Sequence, residues 1–173
     1  FILKKKVNSR IKSNVTANLD TVAIRFPEHK IIRSILKNIN FPLAMPSANI
    51  SSGLSPVNAK DVQEEFSSNL KLIINGGASK IGIESTVIDL TGKPNILRPG
   101  IIGAEILAKI LKTKINIMKN NTKILSPGML KKHYSPGIPI YLNQKTGDKI
   151  NAFITLGKKY KNKKNYFNLS KKS

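Results

Sequence analysis

The run Pro46-Ser47-Ala48-Asn49-Ile50-Ser51-Ser52-Gly53-Leu54-Ser55-Pro56 sets hydroxyls and an amide between the end of an apolar stretch and the start of a polar, helix-like one. Ligands of α/β proteins gather at the carboxyl ends of strands, where hydroxyls, unpaired backbone N–H groups and a helix dipole can meet phosphates. The same residues also make an ordinary turn with a helix cap. Arg25 closes the apolar run Thr21-Val22-Ala23-Ile24. A guanidinium in that place either pairs with an acid or offers its planar fork to a carboxylate or phosphate. Glu84-Ser85-Thr86 and Leu97-Arg98-Pro99-Gly100 likewise place polar groups at strand ends. Asp20 and Asp89 read as turn or cap residues, and His29 as a helix-start residue. Gly76-Gly77 reads as a hairpin turn, because no Walker or dinucleotide pattern surrounds it.

The elements that must carry these groups follow from periodicity. Val22 to Phe26 predicts a short strand, and Ile31, Ile32, Ile35, Leu36 and Ile39 share one face of a helix that opens near Pro27-Glu28-His29. Phe41 to Met45 predicts a strand. Ser55-Pro56 supplies a cap and a first helical position for a helix with Asp61, Glu64 and Glu65 early and Val62 and Phe66 on one face. Leu70 to Asn75, Ser85 to Leu90 and Ile96 to Arg98 predict three further strands, each closed by Gly or Pro turns. A last helix starts near Gly103 with Ile106, Leu107, Ile110 and Leu111 on one face, and must pack on a sheet. Alternating strands and helices argue for α/β, with some antiparallel pairing where links are too short for crossovers.

Beyond that helix, Asn116 to Lys123 is polar and linker-like. Ser126 to Gly137 is dense in Pro, Gly, aromatic and basic residues and lacks apolar periodicity, as a semi-rigid connector would. Strand-like residues resume at Ile140-Tyr141-Leu142 and Ala152 to Leu156, in a stretch too short for an independent core. The expected division is therefore 1–118, a connector at 119–137, and 138–173.

Composition closes several kinds of chemistry. The 173 residues contain no Cys, which excludes disulfides, thiolate zinc sites and Cys nucleophiles, and only His29 and His133, which argues against a histidine-built metal site. No run approaches the length of a membrane span, and Phe1-Ile2-Leu3-Lys4-Lys5-Lys6 reverses the order of a signal peptide, so a cytoplasmic chain with no membrane partner is expected. Lys and Arg number 30 against 9 acids, for a net +21, and from Lys109 onward 16 basic residues face the single acid Asp148. Such a balance favours polyanions. Yet Arg10, Arg25, Arg33 and Arg98 are the only arginines, and the shared excess of Lys, Asn and Ile also fits compositional drift in an AT-rich coding sequence.

Taken together, Val15-Thr16-Ala17-Asn18-Leu19-Asp20-Thr21-Val22-Ala23-Ile24-Arg25, Pro46-Ser47-Ala48-Asn49 with Ser55-Pro56, Gly82-Ile83-Glu84-Ser85-Thr86-Val87, Ile96-Leu97-Arg98-Pro99-Gly100, and Ser126-Pro127-Gly128-Met129 to His133-Tyr134 resemble the YrdC-like L-threonylcarbamoyladenylate synthases in their long form. The resemblance implies a twisted open mixed sheet flanked by helices (here its C-terminal part), then a connector and the start of a small Rossmann-like α/β domain. It implies the conversion of L-threonine, bicarbonate and ATP to threonylcarbamoyl-AMP and pyrophosphate, a step toward the N6-threonylcarbamoyl modification of tRNA. Mg²⁺ would enter on the ATP phosphates, and no enzymic nucleophile is expected.

Carried over by motif, Arg25, Met45 and Ser85 would bind threonine. Thr21, Ser47, Asn49, Ser55 and Arg98 would bind ATP, with Tyr134 reaching over the nucleotide as a lid. Asn18 stands where the family usually has Gly, and Met45 where a small residue is common. The family's N-terminal nucleotide-binding part is expected upstream of residue 1 and the C-terminal domain to be cut short, so truncation at both ends, and a fragment supplying the missing part, are expectations. The alternatives are a non-catalytic basic module binding tRNA or double-stranded RNA, or an inert remnant of the same family.

Overall fold

The computed structural model describes residues 1–51, 53–118, 137–157 and 164–169, which fall in two units, Phe1–Pro136 and Gly137–Ser173. In the first unit, β1 (Ile2–Lys4), β2 (Thr21–Ala23), β3 (Val87–Asp89), β4 (Asn95–Arg98) and β5 (Asn116–Ile117) form a mixed sheet in the order β2-β1-β3-β4-β5. Strand β1 runs antiparallel to β2, with Leu3 opposite Val22, and parallel to β3. Strands β3 and β4 are antiparallel, with Ile88 opposite Ile96 and a register shift between Val87 and Ile88. Strand β5 then lies parallel to β4.

That last parallel pair needs a crossover, and α3 (Ala104–Leu111) provides it, its start at Gly103 being where the sequence predicts it. Ile88, Ile96 and Ile115 are the buried centre, and Leu90, Ala104, Leu107 and Ala108 pack against them. Burying each isoleucine stabilises the fold by roughly 1.5–3 kcal/mol. On β4, Ile96 and Leu97 are both buried although they point to opposite sides, so the sheet is covered on both faces there.

Elsewhere the elements are shorter than the sequence suggests. Helix α1 (Lys30–Lys37) forms, and none of its residues is buried. Phe41–Met45 and Leu70–Asn75, expected as strands, join no ladder among the described residues, and Phe41, Leu43, Met45, Leu72 and Ile74 are exposed. Apolar alternation favours a strand, but a ladder also needs a neighbour to exchange hydrogen bonds. Gly76-Gly77 accordingly joins no hairpin; the Gly77 N–H donates to Asn75 Oδ1 in a local turn.

The polar Asn116–Ile117, expected as linker, is instead edge strand β5, since the backbone alone satisfies the pairing and Met118 N–H donates to Ile96 O at 3.0 Å. Strand β1, between β2 and β3 in the sheet, is an element that periodicity did not suggest.

Helix α2 (Ala59–Phe66) begins four residues after Ser55. Its cap is Asn58, whose side chain accepts from Asp61 N–H at 3.0 Å, while Asp61 Oδ2 accepts from the Asn58 and Val57 N–H groups at 3.2 and 2.9 Å. This reciprocal box satisfies more of the orphan donors of the first turn than a lone Ser cap would.

In the second unit, β6 (Phe153–Thr155) and β7 (Tyr166–Asn168) pair in parallel. Ile140–Leu142, expected as a strand, is exposed and irregular. The Phe153 and Tyr166 rings meet edge to face at 4.9 Å, and a Cβ on Gly147 would lie 2.6 Å from Phe153 Cβ, so only glycine allows this approach. Beside it, the Asn151 N–H, the Asn151 amide and the Ile150 N–H all donate to the Asp148 carboxylate and hold its pKa below the usual range. These bonds are in place at neutral pH and are lost as pH falls through that lowered pKa.

Replacing the α2 cap tests its share of stability. Asn58→Ala is expected to cost about 1 kcal/mol, read as a lower urea midpoint at unchanged slope.

Candidate functional site

A cavity of about 600 Å³ lies in the first unit, walled by Arg25, Met45, Ser47, Ser55, Leu72 and Glu84 among others. Its size suits a small molecule. Four of the sequence-predicted residues thus meet in one place: Arg25 from the segment just beyond β2, Met45 and Ser47 from the loop after α1, and Ser55 from the approach to α2. Arg25 is exposed and is among the residues that line the cavity.

The loop is fastened from both sides. Ile50 N–H donates to Glu65 Oε1 on α2 at 2.5 Å, and Gly53 N–H donates to Ile50 O at 2.9 Å. Asn49 Nδ2 donates to Ile50 O and Gly53 O at 2.8 and 3.2 Å, whereas its Oδ1 is buried without a hydrogen-bond partner among the described residues. On the far wall, His29 Nε2 lies 3.1 Å from Gly76 O and Ser79 N–H donates to Val57 O at 2.7 Å, which fixes the 70–79 run without a ladder. His29 is both the N-cap residue of α1 and this tie.

Glu84 on the wall is backed by a backbone crossing. A Cβ on Gly100 would lie 2.3 Å from Thr86 N, 2.6 Å from Glu84 O and 2.7 Å from Ser85 C, so the two segments pass too closely for any side chain there. Arg98 Nε and Nη2 donate to Ser85 O at 3.1 and 2.9 Å, and Thr86 Oγ1 donates to Ile102 O and accepts from Ile102 N–H at 2.8 and 3.1 Å. Glu84 faces two ways: Oε1 accepts from Ser55 Oγ at 2.7 Å, and Oε2 stands 3.6 Å from Arg98 Nη2.

Not every predicted residue reaches the cavity wall. Thr21 pairs with Lys4 in the ladder, the Asn49 amide is spent on the carbonyls of its own loop, and Ser85 and Arg98 hold one another beside Glu84. Tyr134 lies outside the described residues. Glu84 and Glu65 were not singled out from sequence as site residues. Glu65, a helix-borne acid 15 residues from the Ile50 N–H it accepts from, carries no local signal, and the role of Glu84 is recognisable only once the Gly100 crossing brings it to Ser55. Among the described residues no three His, Asp or Glu gather as a metal cluster, and no helix is long and apolar enough to cross a membrane.

Residues 1–100 match the Sua5/YciO/YrdC family model, described as "Telomere recombination", and residues 102–173 match the model described as "Threonylcarbamoyl-AMP synthase, C-terminal domain". The chain is 39% identical over 145 residues to the threonylcarbamoyl-AMP synthase of Pyrococcus abyssi, an overlap that takes in 81% of this chain and 43% of that relative. It is 34% identical over 148 residues to the Bacillus subtilis synthase, covering 83% of this chain and 43% of the relative. The crystal structure of P. abyssi Sua5 complexed with L-threonine superposes with a TM-score of 0.71 at 34% identity, over 90% of this chain and 43% of that one. The chain thus spans less than half the length of the relatives it matches.

The crossing makes a stability prediction. Gly100→Ala would drive a methyl group into backbone atoms and is expected to cost about 3 kcal/mol in urea unfolding, at the upper end for overpacking. Gly92→Ala, where nothing lies within 4 Å of the new Cβ, is expected to stay within about 0.5 kcal/mol of wild type.

Proposed function

The chain belongs to the Sua5/YciO/YrdC family, and on that premise we propose that it serves the synthesis of threonylcarbamoyl-AMP from L-threonine, bicarbonate and ATP. The product is the activated donor for N6-threonylcarbamoyl modification of tRNA, and the setting is the cytoplasm. The observation that carries this is the cavity uniting Arg25, Met45, Ser47 and Ser55, in a fold that superposes on a relative crystallised with L-threonine.

In this reading the Arg25 fork takes the threonine carboxylate through two parallel N–H bonds, and the backbone at Met45 with Ser85 bounds the amino-acid side. Ser47 and Ser55 on the wall meet the nucleotide, which arrives as its Mg²⁺ complex, Thr21, Asn49 and Arg98 serve it from behind that wall, and Tyr134 is a further nucleotide-binding residue of this reading. The carbamate oxygen of N-carboxylated threonine attacks the α-phosphorus of ATP, the α–β phosphoanhydride bond breaks, and pyrophosphate leaves with the electron pair. No protein nucleophile takes part; the chain supplies position and charge.

The exposed apolar side chains of Phe41, Leu43, Leu72 and Ile74, on runs that join no ladder, fit a face completed by polypeptide carrying the remainder of the family's domain, and this is the protein partner of the reading. A second reading rests on the net charge of +21: a basic module that binds tRNA or double-stranded RNA without catalysis.

Labelled bicarbonate, L-threonine, ATP and Mg²⁺ supplied to the purified chain together with the remainder of the family's domain, beside an intact relative, test the proposal. Labelled threonylcarbamoyl-AMP is expected. Its absence while the intact relative is active would overturn the activity. RNA binding that survives Arg25→Ala and weakens steeply between roughly 50 and 200 mM salt would favour the basic module.

A further inference from the structure

Glu84 is the one acid on the described cavity wall, and its two oxygens do different work. A serine hydroxyl has a single proton to donate. Ser55 Oγ gives that proton to Glu84 Oε1 at 2.7 Å, so what Ser55 can offer the cavity is lone pairs. An acceptor beside a carboxylate suits a ligand hydroxyl or amine and repels a phosphate oxygen.

Glu84 can hold this role because it is itself held. Its Oε2 faces Arg98 Nη2 at 3.6 Å, the two side chains are only 23% and 13% exposed, and Arg98 is anchored on the Ser85 carbonyl by both Nε and Nη2. The Gly100 crossing keeps the backbone of 84–86 from shifting.

We propose that Glu84 is a positioning residue that orients the Ser55 hydroxyl as an acceptor, with Arg98 as its counter-ion, so that the Ser55 corner of the cavity receives a sugar hydroxyl of the nucleotide. This rests on the nucleotide-binding reading above and names the part of the nucleotide that Ser55 meets. The triphosphate then lies away from Glu84.

Calorimetric titration of ATP and of 2′,3′-dideoxy-ATP into wild type, Glu84→Ala and Glu84→Gln tests this, alongside the ¹⁵N-detected exchange rate of the Arg98 Nη2 protons. Wild type is expected to prefer ATP over the dideoxy analogue about tenfold, the order of one hydrogen bond to an otherwise unpaired group. Glu84→Ala is expected to abolish that preference, and Glu84→Gln, which keeps an acceptor for Ser55, to retain it at lower affinity for both ligands. Exchange at Arg98, whose Nη2 faces Glu84, is expected to accelerate about tenfold at the Nη2 protons in both variants, while that of Arg10 stays constant. A merely structural Glu84 would weaken both nucleotides equally and leave the preference in place, which would overturn the proposal. Wild type that binds neither nucleotide would refute the nucleotide-binding reading and with it the sugar contact, and an unchanged Arg98 signal in the variants would separately refute the Glu84 clamp.

Discussion

Two stretches of backbone, Glu84–Thr86 and Arg98–Ile102, cross at Gly100 with no room for a side chain between them, and most of the first unit is arranged around that contact. Because they touch there, Arg98 reaches the Ser85 carbonyl, Thr86 exchanges two hydrogen bonds with Ile102, and α3 starts where its inner face can cover Ile88 and Ile96. The register shift between Val87 and Ile88 lies next to the crossing, where a bulge lets a strand turn away from its partner. Glu84 is left facing Ser55. One steric constraint therefore links the small isoleucine core to the polar cavity.

The cavity has opposite charges on its wall. Arg25 is exposed just beyond β2, and Glu84 is held between Ser55 and Arg98. A guanidinium and a carboxylate on one cavity wall can meet a ligand that carries both an anionic group and a hydrogen-bond donor. In a chain of net +21 the positive end needs no special explanation from composition. The acid does, since only 9 Asp and Glu are present in the whole sequence. Three of them, Asp61, Glu65 and Glu84, fasten the loop of 46–59 and its cap through hydrogen bonds to backbone or hydroxyl groups.

Much of this was legible in the residues. The Gly103 start of α3, the strand at Ile96 and the role of Asp89, whose Oδ1 accepts from Thr91 N–H and Oγ1, follow from local patterns that need no distant partner. Ordered motifs pointed to the family, and the cavity gathers Arg25 from one of them and Ser47 and Ser55 from another, with Met45 next to the second. What sequence missed depends on long-range geometry. Phe41–Met45 and Leu70–Asn75 have the side-chain pattern of strands, but pairing is a property of two segments. Ser55 has the chemistry of a cap, yet it gives its proton to a carboxylate 29 positions away, and Asn58 caps in its place. Asn116 and Ile117 pair through backbone alone, which polar composition cannot reveal.

The central claim is that the Arg25 fork receives the carboxylate of an amino acid in this cavity. Calorimetric titration of L-threonine into the chain and into Arg25→Lys tests it most directly. Saturable binding that weakens by about 1–3 kcal/mol in the lysine variant, as expected when a bidentate pair is reduced to a point charge, is the predicted result. Equal threonine affinity in both proteins, or no binding to wild type, would contradict it.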